Sequence, residues 1–167
     1  LVLRPVADRA NLKIVVVSPP ELPMVKCDVD RVRQVIRSIL EVTTWQAWKG
    51  EHATVRVEER TKGLTNRDGR FVGISFDYPS GRLISPEILK VVNANEMEWK
   101  TLKDSVSIGA FNLAIGKRVI EAHGGEFLIE ASSDRTVVRF TLPVCSAQEA
   151  RDGAGRRRTT SRIPLRL

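Results

Sequence analysis

The residue types that most often carry chemistry are few in this chain of 167 residues, and they stand apart from one another. Cys27 and Cys145 lie far apart, with neither a CxxC spacing nor a histidine cluster beside them. Zinc ligands come in closely spaced pairs and a disulfide framework needs several cysteines, so the pattern predicts two reduced thiols and no metal cluster. His52 falls in a predicted loop without an evident role, and His123 falls at the predicted end of a helix.

Positive charge is concentrated at the end of the chain. The formal net charge is +7, and residues 146–167 carry six arginines against Glu149 and Asp152, which gives +4 and leaves +3 for the rest. A mildly basic globular part does not indicate a DNA-binding surface, so we expect no nucleic-acid partner. We predict a basic, flexible tail over residues 146–167; the alternative is a segment that binds nucleic acid or an anionic membrane.

The composition is that of a globular protein, with 42% hydrophobic and 28% charged residues. Residues 1–145 are long enough for one domain with a substantial core. No apolar run reaches the roughly 20 residues that a membrane-spanning helix needs. Because the chain starts at Leu1, we expect it to be a piece of a longer protein.

The elements that must position any site can be predicted from hydrophobic periodicity. Residues 12–17 are β-branched and apolar and end at Pro19, which predicts a strand. A helix is predicted to begin at Asp28 or Asp30, because either carboxylate could cap it. Its apolar residues recur with helical spacing and predict one buried face: Val32, Val35, Ile36, Ile39 and Leu40.

The rest of the pattern alternates hairpins and helices. Residues around Val55 and Val57 pair with those around Val72, Ile74 and Phe76 in a predicted hairpin. A short helix is predicted from Ser85 to about Asn93, followed by a loop or lid over residues 95–107. A second long helix is predicted over residues 111–122, with a core face formed by Phe111, Ile115, Val119 and Ala122, and a final hairpin contains Phe127, Ile129, Val138, Phe140 and Leu142. We therefore expect an α+β two-layer sandwich, with helices on one face of a mixed, mostly antiparallel sheet.

Read in that order, four segments resemble the ATP-binding catalytic domain of histidine kinases, a Bergerat-fold member of the GHKL ATPases. Residues 22–36 resemble the family's N-box, LPxVxGDxxRLxQVL, and residues 72–87 resemble its G1 box, DxGxGI. Residues 113–126 resemble LAIVKRIVEAHGG, and residues 140–143 match FxLP. Together the segments span most of the chain up to Val144.

The resemblance implies a site for Mg-ATP between the N-box helix and a lid. In the family an N-box asparagine binds the Mg²⁺, which prefers oxygen ligands. A G1 aspartate accepts the adenine amino hydrogen, and glycines of a second box let backbone amides approach the phosphates. The residues that could contact nucleotide here are Asp77, Gly81, Ser38 and Gly109.

The family's key residues are mostly replaced. The two N-box asparagines fall at Ser38 and Val42, and Val42, at the usual Mg²⁺ position, has no atom that binds a hard cation. Asp77 is retained, either as the adenine acceptor or as an aspartate that opens a turn, and Gly81 keeps the second G1 glycine, but Pro79 replaces the first.

The second glycine box departs furthest from the family. Its three glycine positions fall at Ile108, Ala110 and Asn112, and Gly109 stands one place out of phase. A branched side chain at position 108 would obstruct the approach of backbone amides to phosphate, and Phe111 is expected to extend the core face.

The resemblance implies a degenerate catalytic domain of a two-component signalling protein, with weak or no binding of ATP and Mg²⁺. Its expected partners are the dimerisation and histidine-phosphotransfer domain of the parent protein and a response regulator. The alternative is an active kinase domain that binds Mg-ATP and phosphorylates a histidine on that separate domain. We expect a cytoplasmic location, free or as the cytosolic part of a membrane-bound sensor.

If the pocket binds no nucleotide, Asp77→Asn is expected to leave stability nearly unchanged and to have no nucleotide phenotype.

Overall fold

The structure, a computed structural model, describes residues 13–44, 52–78, 84–93 and 108–146. Within these ranges, three helices and five strands follow in chain order: β1 (Lys13–Val17), α1 (Val29–Thr44), β2 (His52–Lys62), β3 (Asp68–Tyr78), α2 (Pro86–Asn93), α3 (Ile108–Ala122), β4 (Phe127–Ala131) and β5 (Thr136–Pro143). The predicted lid, Pro79, Gly81 and the tail from residue 147 lie outside the described residues. The division into a domain over residues 1–145 and a tail therefore stays a prediction.

The strands form one sheet in the order β1-β2-β3-β5-β4, in which β1 runs parallel to β2 and the other pairs are antiparallel. Alternate residues of β2, β3 and β5 are buried together with the inner faces of the helices. The opposite face of the sheet carries Arg56, Asp77 and Arg139, because successive strand residues point to opposite faces. The predicted two-layer α+β sandwich with a mixed sheet is confirmed.

Helix α1 begins as predicted, and the structure distinguishes between the two proposed caps. Asp28 Oδ1 accepts hydrogen bonds from the backbone N–H groups of Asp30 and Arg31, at 3.0 and 3.1 Å. The cap is therefore Asp28, which supplies partners for amides that a helix start leaves unpaired. The predicted apolar face of α1 is buried in the core.

The junction after α3 holds two parts of the chain together. Gly124 has φ of 75°, a left-handed conformation that glycine adopts readily, as predicted for the end of this helix. His123 Nδ1 lies 2.7 Å from the carbonyl oxygen of Val119, and its Nε2 accepts the backbone N–H of Asp28 at 3.0 Å. The ring thus joins the end of α3 to the start of α1.

Two predictions on local structure are wrong. His52 is the first residue of β2, where it lies opposite Lys13 of β1, and it is not in a loop. Helix α3 begins at Ile108 instead of residue 111, and the face predicted to be in the core is largely exposed. The buried residues of α3 are instead Ala110, Leu113, Ala114, Gly116 and Ile120. The reason is close helix packing along the stripe with small residues, since a Cβ on Gly109 would lie only 2.9 Å from Val42 of α1.

Candidate functional site

The expected metal position lies where α1 meets the start of α3. Val42 is buried on the last turns of α1, and a methyl group at position 109 would lie 2.9 Å from its Cγ2 atom. Val42 and Gly109 are therefore packed against each other, and only the missing side chain of glycine allows this approach. The structure brings these two predicted positions together, but the atoms that meet are carbon atoms.

Ser38 lies one turn earlier on the same helix and is buried. Its hydroxyl donates a hydrogen bond to the carbonyl oxygen of Gln34, at 3.0 Å. This bond within the helix is the common way for a serine in a helix interior to satisfy its hydroxyl. Among the described residues, no group of three or more histidine, cysteine, aspartate or glutamate side chains could hold a metal ion.

Asp77 lies on the far side of the sheet from these residues. Its neighbours Phe76 and Tyr78 are both in the core, so the Asp77 side chain points to the face opposite the described helices. Arg135, in the turn between β4 and β5, donates two hydrogen bonds to it: Nε to Oδ1 at 2.8 Å, and Nη2 to Oδ2. Both carboxylate oxygens are thus engaged by one guanidinium group in a bidentate pair.

The charge around Asp77 favours its ionised form. The hydrogen bonds from Arg135 hold the pKa of the Asp77 carboxyl below its ordinary value; burial opposes this, and the positive charges of Arg135, Arg139 and Arg56 add to it. The same pairing raises the pKa of Arg135 further above its already high value. The aspartate is thus a fixed anion with its own cationic partner.

One buried polar atom on the helix side of the sheet has no partner. The hydroxyl oxygen of Thr136, which is fully buried, makes no hydrogen bond in the described part of the chain. Thr136 lies opposite Tyr78 in the register of β5 and β3. Such an atom is uncommon, because an unpaired buried hydroxyl costs about 1–3 kcal/mol.

The outer side of α3 forms an apolar groove next to α1. Its floor is made by Phe111, Ile115, Val119 and Ala122, with Arg118 beside them, and Val35 and Gly116 continue it towards α1. Its rim is polar, with Arg31 and Gln34 of α1 on one side and Asn112 of α3 near its start. We call this surface the α3 groove. Ile108, at the start of the helix, is 81% exposed.

Sequence reasoning singled out Val42, Ser38 and Gly109 as positions of the expected nucleotide site, and the structure brings Val42 and Gly109 together. It did not identify Arg135, Thr136 or the α3 groove. Arg135 is 58 residues from Asp77 in the chain, and only the register of β3 with β5 brings the two together. The exposed apolar residues of α3 carried a signal, because that helix has more apolar residues than one buried stripe can hold.

This arrangement of helices on a mixed five-stranded sheet is the fold of the catalytic domain of histidine kinases. The mycobacterial sensor histidine kinase MprB matches with a TM-score of 0.60 and 19% identity, over 86% of this chain and 91% of that one. The nucleotide-free catalytic domain of the histidine kinase ThkA matches with a TM-score of 0.62 and 19% identity, over 86% of this chain and 92% of that one. At these identities the likeness concerns the fold.

Curated sensor kinases are similar in sequence as well. The sensor protein KdpD of Clostridium acetobutylicum is 29% identical over 137 residues, which are 80% of this chain and 14% of that protein. The adaptive-response sensory kinase SasA of Parasynechococcus marenigrum is 25% identical over 139 residues, which are 83% of this chain and 34% of that kinase. No family model matches the chain. The predicted resemblance to a histidine kinase ATP-binding domain is confirmed.

The chain spans about 14% to 34% of the length of these curated relatives. None of the helices among the described residues is long and apolar enough to cross a membrane.

Proposed function

We propose that this chain is a degenerate histidine-kinase-type catalytic domain, which binds Mg-ATP weakly or not at all and acts by docking onto other signalling domains. The observation that carries the proposal is the packing of Val42 against Gly109. At the place where the family holds its metal, the described side chains present carbon atoms, and a hard cation needs oxygen ligands.

The surroundings of Asp77 support the same proposal. An adenine amino group would have to compete with Arg135 for the carboxylate, and it would have to approach the sheet from the face opposite the described helices. Each lost polar contact costs about 1–3 kcal/mol, and each 1.4 kcal/mol is about tenfold in affinity. Loss of two such contacts, one to the metal and one to adenine, would weaken binding by about 30-fold to about 20,000-fold. The described residues therefore do not fit Mg-ATP at the positions where the family holds it.

The test is calorimetric titration of the full chain with Mg-ATP and with AMPPNP. The histidine kinase ShkA, whose solved structure is a complex with AMPPNP and which matches this chain with a TM-score of 0.59, serves as a positive control. We expect no heat of binding below millimolar nucleotide. Metal-dependent binding at micromolar concentration would overturn the proposal.

A matched variant tests whether the absent metal ligand alone prevents Mg-ATP binding or whether the other changed contacts prevent it too. Val42→Asn restores the side chain that the family uses, without changing the neighbouring contact of α1 with α3 at Gly116. Because the carboxylate of Asp77 stays engaged by Arg135, we expect this variant to remain unable to bind Mg-ATP. If Val42→Asn alone gave metal-dependent binding, the site would be intact apart from one residue.

The alternative, an active kinase domain, is favoured by one observation. The unpaired hydroxyl of Thr136 is the kind of atom that a polar ligand or a buried water satisfies. The titration decides between the two functions, because an active domain must bind Mg-ATP and must transfer phosphate to a histidine of the dimerisation domain.

The docking part of the proposal is supported by the α3 groove. Solvent-exposed apolar side chains that form one continuous surface mark interaction sites, and here they are contiguous along α3. The partner that we propose is the dimerisation and histidine-phosphotransfer domain of the same protein, with a response regulator as the further partner.

The docking test uses two residues with the same exposure. Ile115 of the groove and Leu128 of β4 are each 38% exposed. We expect Ile115→Glu to abolish binding of the full chain to the dimerisation domain, measured by interferometry, and Leu128→Glu to leave it unchanged. Equal effects of the two substitutions, or none, would place the docking surface elsewhere.

A further inference from the structure

The outer edge of strand β1 is an apolar strand edge at the end of the sheet. β1 pairs with β2 on one side only, and in the described part of the chain no strand pairs with its other side. Val15, Val16 and Val17 are 38–41% exposed, although Val16 lies on the helix side, next to the buried Val55. Among the described residues, the helices cover this end of the sheet only in part: Ile14 packs against the core, but the three valines after it stay exposed.

Exposed edges are normally protected, because their free N–H and C=O groups can pair with another strand. Charged residues, prolines and bulges are the usual protection. In β1 the only charge is Lys13, at its first position, and Pro19 and Pro20 come after the last. The central residues Ile14, Val15 and Val16 carry no such protection and have strong strand propensity.

The sequence of β1 is complementary to itself under a two-fold axis. An antiparallel pair of two β1 strands centred on Val15 would place Val15 opposite its own copy, Ile14 opposite Val16, and Lys13 opposite Val17. Cross-strand pairs of β-branched residues stabilise a sheet, whereas like charges placed opposite each other destabilise it. In this register Lys13 never faces Lys13, so no charge opposes the pairing.

We infer that the β1 edge pairs with the β1 edge of a second copy of this chain, in antiparallel orientation about Val15, to form one ten-stranded sheet across two copies. The pairing is independent of the nucleotide site and of the α3 groove, which belong to other parts of the fold. A five-residue edge buries less than the roughly 1,200 Å² typical of stable interfaces, so the dimer is weak and concentration-dependent.

Sedimentation equilibrium of the full chain tests this, at protein concentrations from about 1 μM to about 1 mM. We expect reversible dimerisation, and we expect Val15→Lys to raise the dissociation constant by at least about tenfold, because it places two positive charges opposite each other on the axis. Leu128→Lys, on the opposite edge strand β4 and with similar exposure, is the matched control and should leave the constant unchanged.

A charge swap tests the register. Val15→Glu alone is expected to weaken the dimer as Val15→Lys does, and an equimolar mixture of the two variants is expected to associate at least as tightly as the unmodified chain. Restoration requires that residue 15 of one copy faces residue 15 of the other, and a misfolded variant could not produce it. The inference would be overturned if the chain stayed monomeric at all concentrations, or if the β1 edge paired only with a different protein. Failure of the two mixed variants to associate would overturn it as well.

Discussion

Replacing Asp77 with asparagine tests whether its ion pair with Arg135 contributes to the stability of this domain. The change removes the negative charge but keeps one oxygen acceptor in place. A bidentate charged pair is stronger than a neutral hydrogen bond, but the Arg135 side chain is 58% exposed and that of Asp77 is 31% exposed, so solvent screens the pair. We expect a loss of about 1 kcal/mol at pH 7, which lowers the melting temperature of a chain of this size by about 2–4 °C.

The pH dependence has a definite sign. Because the pairing lowers the pKa of Asp77 in the folded protein, its contribution is fully present above the pKa of the unfolded chain, about 3.9. It is lost as the pH falls through the lower pKa of the folded state, where Asp77 becomes protonated and neutral. The stability gap between the parent and Asp77→Asn should therefore be constant from neutral pH to about pH 5 and should close below about pH 4.

The assay is urea unfolding at a series of pH values, combined with Arg135→Gln in a double-mutant cycle. Asp68→Asn is the control, because the Asp68 side chain is 92% exposed and its carboxylate lies as far as 4.0 Å from the amine of Lys62, so this pair is weak. A coupling energy near zero, or a gap that persists unchanged at low pH, would refute the reasoning. The nucleotide titration should be the same for Asp77→Asn and the parent, as expected from the sequence, but the unchanged stability that the sequence led us to expect should not be observed.

Two further predictions concern the junction after α3. His123→Ala removes the acceptor for the Asp28 N–H and should destabilise the domain by about 1–2 kcal/mol in urea unfolding, and an unchanged midpoint would show that the bond contributes nothing. Gly125→Ala should abolish folding, seen as loss of the circular dichroism spectrum, because its Cβ would lie 1.9 Å from the backbone oxygen of Thr141. Gly116→Ala is the control, since its Cβ would meet a side chain at 3.4 Å; a folded Gly125→Ala would contradict the geometry.

The elements with one dominant pattern could be predicted from the sequence. Helix α1 has a single apolar stripe and an aspartate before it, so both its buried face and its start were predicted. Strand β2 alternates between buried and exposed residues, and the residues predicted to lie on one side of β3 and β5 are all buried. In these segments local propensity and the final fold agree.

Helix α3 could not be predicted as well, because apolar residues surround more than one side of it. Periodicity alone favoured the stripe through Phe111 and Ile115, but packing selected the one with small residues. A close approach of α1 is possible on that stripe, because a methyl group at Gly109 would already lie 2.9 Å from Val42. The choice between two apolar stripes is thus a tertiary effect, and the same holds for the pairing of Asp77 with Arg135.

At the start of α3, the proposed function relates two features: the loss of the family's phosphate-binding glycines and the exposure of apolar side chains. In the family this helix start faces phosphate, and here it carries Ile108 and, one turn later, Phe111, both exposed. Exposed apolar side chains at a helix start do not stabilise an anion, and because their exposure to water is unfavourable they suit contact with another protein. The residues that obstruct nucleotide therefore lie beside the surface for which we propose a protein partner, and a shift from binding phosphate to binding protein accounts for both with one change of ligand.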